Sequence, residues 1–212
     1  KNTINTNMVA QGHSALFNNG IRAISATEGS GNTALGTKAL YSNTRGYYNA
    51  ANGYQSLYAN TMGTNNTAAG YQSLLSNTLG SNNTANGYWA LKLNTGNNNT
   101  ASGNASLQNN STGSGNTANG FESLLNNTTG FSNVAIGTHA LRLNTNRSNL
   151  VAVGDSALYN NGIGVTLNAQ AKQNTAIGSK TLFSNTTGNA NTAVGSTALF
   201  SNNAGAGNTA LG

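Results

Sequence analysis

Apolar and small residues recur along the chain with a period that is neither the 3.6 of a helix nor the simple alternation of a long strand. With Gly as the zero of each unit, the zeros fall at Gly12, Gly36, Gly53, Gly70, Gly87, Gly103, Gly120, Gly137, Gly154, Gly178, Gly195 and Gly212. Most steps are 17 residues, one is 16 and two are 24. A unit this short cannot bury its own apolar side, so it must stack on its neighbours as a solenoid coil. Ala stands two residues before every one of these Gly, as at Ala34 before Gly36, Ala68 before Gly70 and Ala135 before Gly137. Residues two apart on a strand share a face, which places Ala and Gly toward a narrow interior. Leu follows four residues after Gly in all eleven coils that extend so far, among them Leu40, Leu74 and Leu141, and forms the core spine. Asn follows seven after, as Asn43, Asn77 and Asn144. One amide per turn at one height can bond to the coils above and below.

The variable columns carry a second message. One residue before and one after Gly, a large apolar side chain on one side is matched by a small or polar one on the other: Leu35, Tyr54, Tyr71, Tyr88, Phe121, Ile136, Val153, Ile177 and Val194 supply the large member, and among these coils only the pair Ser102 and Asn104 lacks one. Five and six residues after Gly the same compensation holds, with Leu93 and Leu143 standing in where Lys92 and Arg142 fill the first slot. A face exposed to water has no reason to keep this tally, which predicts that another chain covers it, most simply in a trimer. The expectation is an all-β protein: residues 1–6 as a lead-in, then a single parallel β-solenoid over 7–212 of about twelve coils, with longer coils at 12–36 and 154–178. Each longer coil carries a seven-residue extension, after Gly20 (Ile21, Arg22, Ala23, Ile24) and after Gly162 (Ile163, Gly164, Val165, Thr166, Leu167). These alternate like a strand and are expected to form a slipped bulge or an extra strand covering the roll, or else a partner-binding loop.

Composition narrows the function. Only 6% of residues are charged, and Asn, Thr, Ser and Gly take over solubility. The nine Lys and Arg are scattered, without the basic patch that nucleic-acid binding needs. There is no Cys, hence no disulfide framework, and no apolar run of the ~18 residues a membrane span requires. An export signal or anchor is expected outside these residues.

Strings such as Asn133-Val134-Ala135-Ile136-Gly137 and Asn174-Thr175-Ala176-Ile177-Gly178 resemble the head repeats of YadA-type trimeric autotransporter adhesins, over residues 7–212. The resemblance implies a left-handed parallel β-roll, a homotrimer with the apolar residue before Gly facing its axis, and a place on the bacterial surface. The coil here is longer than that family's usual one, and Asn52, Asn86 and Asn119 replace the apolar residue in the middle coils. Similar arrays also look like segments of phage and bacterial tail fibres.

Catalysis has little raw material: the acids are Glu28, Glu122 and Asp155, and the imidazoles His13 and His139. A nucleophile set drawn from Ser156, His139 and Asp155 is outweighed by a turn column two after Gly that takes Lys38, Gln55, Gln72, Trp89, Glu122, His139 and Lys180 indifferently. No metal-ligand spacing is visible, and no cofactor is expected. The sequence thus points to a non-enzymatic extracellular structural or adhesive fibre segment. Its partner is itself, as a trimer or an end-to-end polymer, with a host-surface, cell-surface or glycan ligand reached through Tyr54, Tyr71, Tyr88, Trp89 and Phe121. A self-assembling filament and a tail fibre are the alternatives. Ice binding through the Thr column three before Gly stands behind them, interrupted by Ala50, Val134 and Val151. The frequent Asn-x-Ser/Thr strings, such as the one ending at Thr67, could accept glycans but follow automatically from the repeat.

Overall fold

A computed structural model describes residues 6–165, 167 and 170–212. Twelve three-residue strands, one per coil, pair in parallel in strict chain order: β1 (Val9–Gln11), β2 (Thr33–Leu35), β3 (Ala50–Asn52), β4 (Thr67–Ala69), β5 (Thr84–Asn86), β6 (Thr100–Ser102), β7 (Thr117–Asn119), β8 (Val134–Ile136), β9 (Val151–Val153), β10 (Thr175–Ile177), β11 (Thr192–Val194) and β12 (Thr209–Leu211). The register never slips; Ala34, Ala51, Ala68 and Ala85 stand opposite one another, as do Ala135, Ala152 and Ala176. The protein is an all-β parallel solenoid of about 17 residues per turn. At ~4.8 Å per coil it is roughly 55 Å long.

The rest of each coil is built from turns that still bond coil to coil. In the coil that begins at Gly87, Trp89 N–H donates back to Tyr71 O at 3.0 Å, and Leu91 N–H donates forward to Ser106 O at 3.0 Å. The core is narrow and layered, with Ala two before Gly and Leu four after both fully buried from Ala34 to Leu182. All eleven spine Leu have φ between +48° and +52°, the left-handed region that L-residues rarely enter. A second left-handed residue two positions earlier, such as Gln55 or Trp89, doubles the bend and returns the chain toward the core. Burial of ~1.5–3 kcal/mol per Leu offsets a local cost of ~1–2 kcal/mol.

The repeat Gly does a different job from the one its spacing predicts. It is not packed inward beside Ala; it is the bend that ends each strand, at φ +123° to +139° from Gly12 to Gly195. A Cβ on Gly87 would lie 2.5 Å from Gly103 O and 2.7 Å from its carbonyl carbon, so bare backbones touch at this corner.

Buried amides run along the rod in two columns, the second of them interrupted where Leu150 takes the place of Asn. The predicted one bonds side chain to side chain: Asn60 Nδ2 donates to Asn43 Oδ1 at 2.9 Å, Asn77 to Asn60 at 3.0 Å and Asn127 to Asn110 at 2.7 Å. Each Nδ2 also donates to a carbonyl of its own turn, as Asn60 does to Gly63 O. The other column stands four before Gly: Asn49, Asn66, Asn83, Asn99 and Asn116 each accept, at Oδ1, the backbone N–H of the Asn one coil on.

The extensions do not form the predicted extra strand; among the described residues they are turns and bends, and Thr166 lies outside those residues. The first is pinned by Glu28, which accepts Ile24 N–H at 2.6 Å and both Nε and Nη2 of Arg45, at 2.9 and 2.6 Å. The Arg45 bonds, chiefly, hold the Glu28 carboxyl below the usual carboxylate range, with the Ile24 amide second. A group whose folded pKa is lowered stabilises above its unfolded value, and that contribution is lost as pH falls through the folded value. Acidification, or Glu28→Gln at neutral pH, is expected to speed proteolysis within 21–30 without lowering the melting temperature of the rod; a lowered melting temperature would show that the loop carries global stability. The second extension interrupts the first amide column. Asn161 Nδ2 turns to Ala171 O at 2.9 Å, and the buried Asn144 Oδ1 is left without a partner.

Candidate interface along the rod

The residues proposed to meet another chain form two surfaces, because the bend at Gly separates what spacing alone placed on one strand face. The residue before Gly ends the sheet, and the residue after it begins the turn side. Tyr54, Tyr71, Tyr88 and Phe121 line the corner at 41–46% exposure, whereas Ile136 and Ile177 stand on the sheet at 40% and 41%, with Leu35, Val153 and Val194 half-buried beside their strand neighbours.

At the corner the rings stack along the rod axis. Tyr54 and Tyr71 lie 5.3 Å apart at 12°, and Tyr71 and Tyr88 5.1 Å apart at 10°. Trp89 lies 4.5 Å from Tyr88, carries Lys92 Nζ 4.1 Å from its ring centre and donates Nε1–H to Gln72 Oε1 at 2.9 Å. Faces turned toward one another leave edges outward, so this ladder does not offer the open ring faces on which a sugar would stack. Five residues after Gly a second set of ladders flanks it: Phe17, Tyr41 and Tyr58 at one end, and Tyr159, Phe183 and Phe200 at the other, at 5.2–5.3 Å.

Between these ladders lies one ionisable cluster. Glu122 Oε2 accepts Arg142 Nε–H at 2.6 Å and stands 3.4 Å from His139 Nε2, and Arg142 Nη1 donates to Tyr159 OH at 3.2 Å. The Glu122 bond, first of all, raises the Arg142 pKa. Ser156 Oγ instead bonds Asp155 Oδ1 at 3.3 Å. His139 and Ser156 therefore turn to different acids, and the Ser156, His139, Asp155 set is not brought together as a nucleophile and its base. The column two after Gly, expected to be an exposed turn, is half-buried from Lys38 to His139 wherever Gln, Trp, Glu or His fills it.

Each extension borders an open groove, one of about 450 Å³ lined by Asn126, Leu143, Arg147 and Ile163 among others, and one of about 280 Å³ lined by Arg22, Arg45 and Met62 among others. Among the described residues, no three His, Cys, Asp or Glu side chains are grouped to hold a metal ion, and no helix is long and apolar enough to cross a membrane. No family model, curated protein or solved structure matches the chain. What can be stated of its class is therefore what the coordinates define: a parallel β-solenoid of repeated coils.

Proposed function

We propose that the protein is a non-enzymatic extracellular structural or adhesive rod that works as an assembly of identical chains, a trimeric surface adhesin head or stalk, or a virion fibre segment. The observation that carries this reading is the pair of apolar runs on the outside of a rod whose core is already complete, one at the corner, interrupted at Asn104, and one on the sheet from Ile136 to Val194. Tyr54, Tyr71, Tyr88, Phe121, Ile136 and Ile177 are each about two-fifths exposed, although none is needed to fill the interior. Apolar runs of this kind are association surfaces far more often than solvated ones. Threefold closure and left-handed winding are what the resemblance to YadA-type heads adds. The long Asn, Leu and Gly columns supply rigidity, the property a stalk needs, and the scarcity of charge lets equal chains lie side by side.

Light scattering on the purified chain tests the reading. A discrete trimer is expected. Large polymers would favour a filament subunit, and a monomer at micromolar concentration would remove the association surface. A thermal-hysteresis assay is expected to show no activity, since ice binding would need the Thr column that β3, β8 and β9 interrupt.

A further inference from the structure

The outer face of the sheet is divided into two blocks. On β3 to β7 the residue before Gly is Asn52, Ala69, Asn86, Ser102 and Asn119 in turn. On β8 to β11 the same column becomes Ile136, Val153, Ile177 and Val194, with Val134 and Val151 beside the first two. The second block is continuous through the second extension: Val153 pairs directly with Ile177, and Ile177 with Val194. Backbone geometry does not distinguish the blocks; Gly87 N–H donates to Ala69 O at 2.8 Å and Gly178 N–H to Val153 O at 2.7 Å. The column thus accepts amides and aliphatic side chains on the same backbone, so the aliphatic block answers to something outside the chain.

We infer that a second copy of this chain seats on the aliphatic block of β8–β11, while the polar sheet face of β3–β7 stays hydrated. The boundary near Asn119 and Ile136 then sets the axial position of one rod against the next. This rests on the self-association reading above and assigns it a place. Three features choose the occupant. A flat ladder of Val and Ile repeating at ~4.8 Å is matched best by a surface with the same repeat, which another copy supplies. No strand from β8 to β12 bears a charge, so like faces can approach without repulsion. Sliding the copies by three coils would press Ile136, Val153 and Ile177 onto Asn86, Ser102 and Asn119 and bury their polar groups unpaired.

The chain has no Cys, so introduced thiols report without background. In the full chain under mild oxidation, I177C is expected to form disulfides between copies, because like residues at one height come within the ~7 Å between Cα atoms that a disulfide spans. N86C, on the polar block, is expected to stay reduced. The triple variant I136N, V153N and I177N converts the block to the type the middle coils already carry, so it should fold. Its assembly is expected to dissociate at a concentration about 100-fold higher or more. Equal cross-linking of N86C and I177C would overturn the proposal while leaving self-association standing, because the contact would run the whole sheet. An oligomer in which I177C stays reduced and the triple variant assembles normally would overturn it in the same way, by placing the contact elsewhere. A monomeric unmodified chain would remove this inference together with the reading beneath it.

Discussion

Gly87→Ala is expected to destabilise the rod by about 2–6 kcal/mol, read as a lowered urea midpoint for an otherwise unchanged unfolding curve. Two independent costs add. The added Cβ would sit 2.5 Å from Gly103 O and 2.7 Å from its carbonyl carbon, contacts that a rotamer change cannot relieve because both atoms are backbone. The residue would also hold φ at +139°, where L side chains are strained. In a solenoid each coil touches only its two neighbours, so the damage falls on the joint between the coils at Gly87 and Gly103. Gly115→Ala is the matched control. Its φ is +67°, and its nearest would-be neighbour is Ser132 Oγ at 3.7 Å, so only a left-handed penalty of about 1 kcal/mol is expected. Equal effects at the two positions would show that the close approach of backbones at the corner is not what makes Gly87 indispensable.

The second large effect concerns a change of one atom. Asn110 is fully buried, and its Nδ2 donates to Asn94 Oδ1 at 2.6 Å and to Gly113 O at 2.8 Å, while its Oδ1 accepts from Asn127 Nδ2 at 2.7 Å. Asn110→Asp, or deamidation there, replaces a donor by an oxygen that faces two oxygens. At neutral pH the carboxyl must ionise in a dry site or keep its proton, and the loss is expected to be about 3–5 kcal/mol. Burial raises the folded pKa of that carboxyl above its unfolded value near ~3.9. The sign follows: below that unfolded value both states hold the proton, the O–H can donate to Asn94 Oδ1, and most of the loss is recovered. As pH rises above it, only the unfolded chain ionises freely, and stability falls. Urea midpoints of the variant at pH 3.5 and pH 7, each referred to the parent protein at the same pH, check this. A loss independent of pH would mean that shape, not the donor, is what the column requires.

Much of this architecture can be read from residue types alone, and the reasons for the exceptions are physical. Leu40, Leu74 and Leu141 are core because each coil brings one Leu to the same height, and their spacing says so directly. Asn43, Asn77 and Asn144 are a ladder because a polar column in a thin core must be satisfied by its own repeats. The amides at Asn49, Asn66 and Asn83 recur almost as regularly, giving way to Leu at Leu150, but they lie in the Asn-x-Ala-x-Gly string and read there as part of a strand. Only coordinates reveal that their side chains point inward and cap the backbone of the next coil. Spacing also could not reveal a left-handed φ at every spine Leu, since Leu ordinarily avoids it, nor the bend at Gly that moves Tyr71 off the sheet that holds Ile136. For the proposed interface, the tally of large against small side chains located the exposed apolar residues; what lay beyond it was the orientation of the rings, edges outward, and the division of the sheet face at Asn119.

The two amide columns have one more property, which follows from the direction of their bonds. Asn60 Nδ2 points to Asn43, Asn77 to Asn60, Asn110 to Asn94 and Asn202 to Asn185, always from a coil toward the one preceding it. In the other column Asn66, Asn83 and Asn116 point the same way, to Asn49, Asn66 and Asn99. Carboxamides aligned head to tail add their dipoles and polarise one another, as peptide groups do in a helix, and among the described residues every bond between Asn side chains of successive coils in these columns runs in this sense, although amides such as Asn66 and Asn133 also donate forward, to Gly80 O and Arg147 O. The rod is therefore electrically vectorial, with the positive sense of the columns toward the N-terminal coils. A bundle of such rods laid side by side in one direction would inherit that vector, and one laid in alternating directions would erase it.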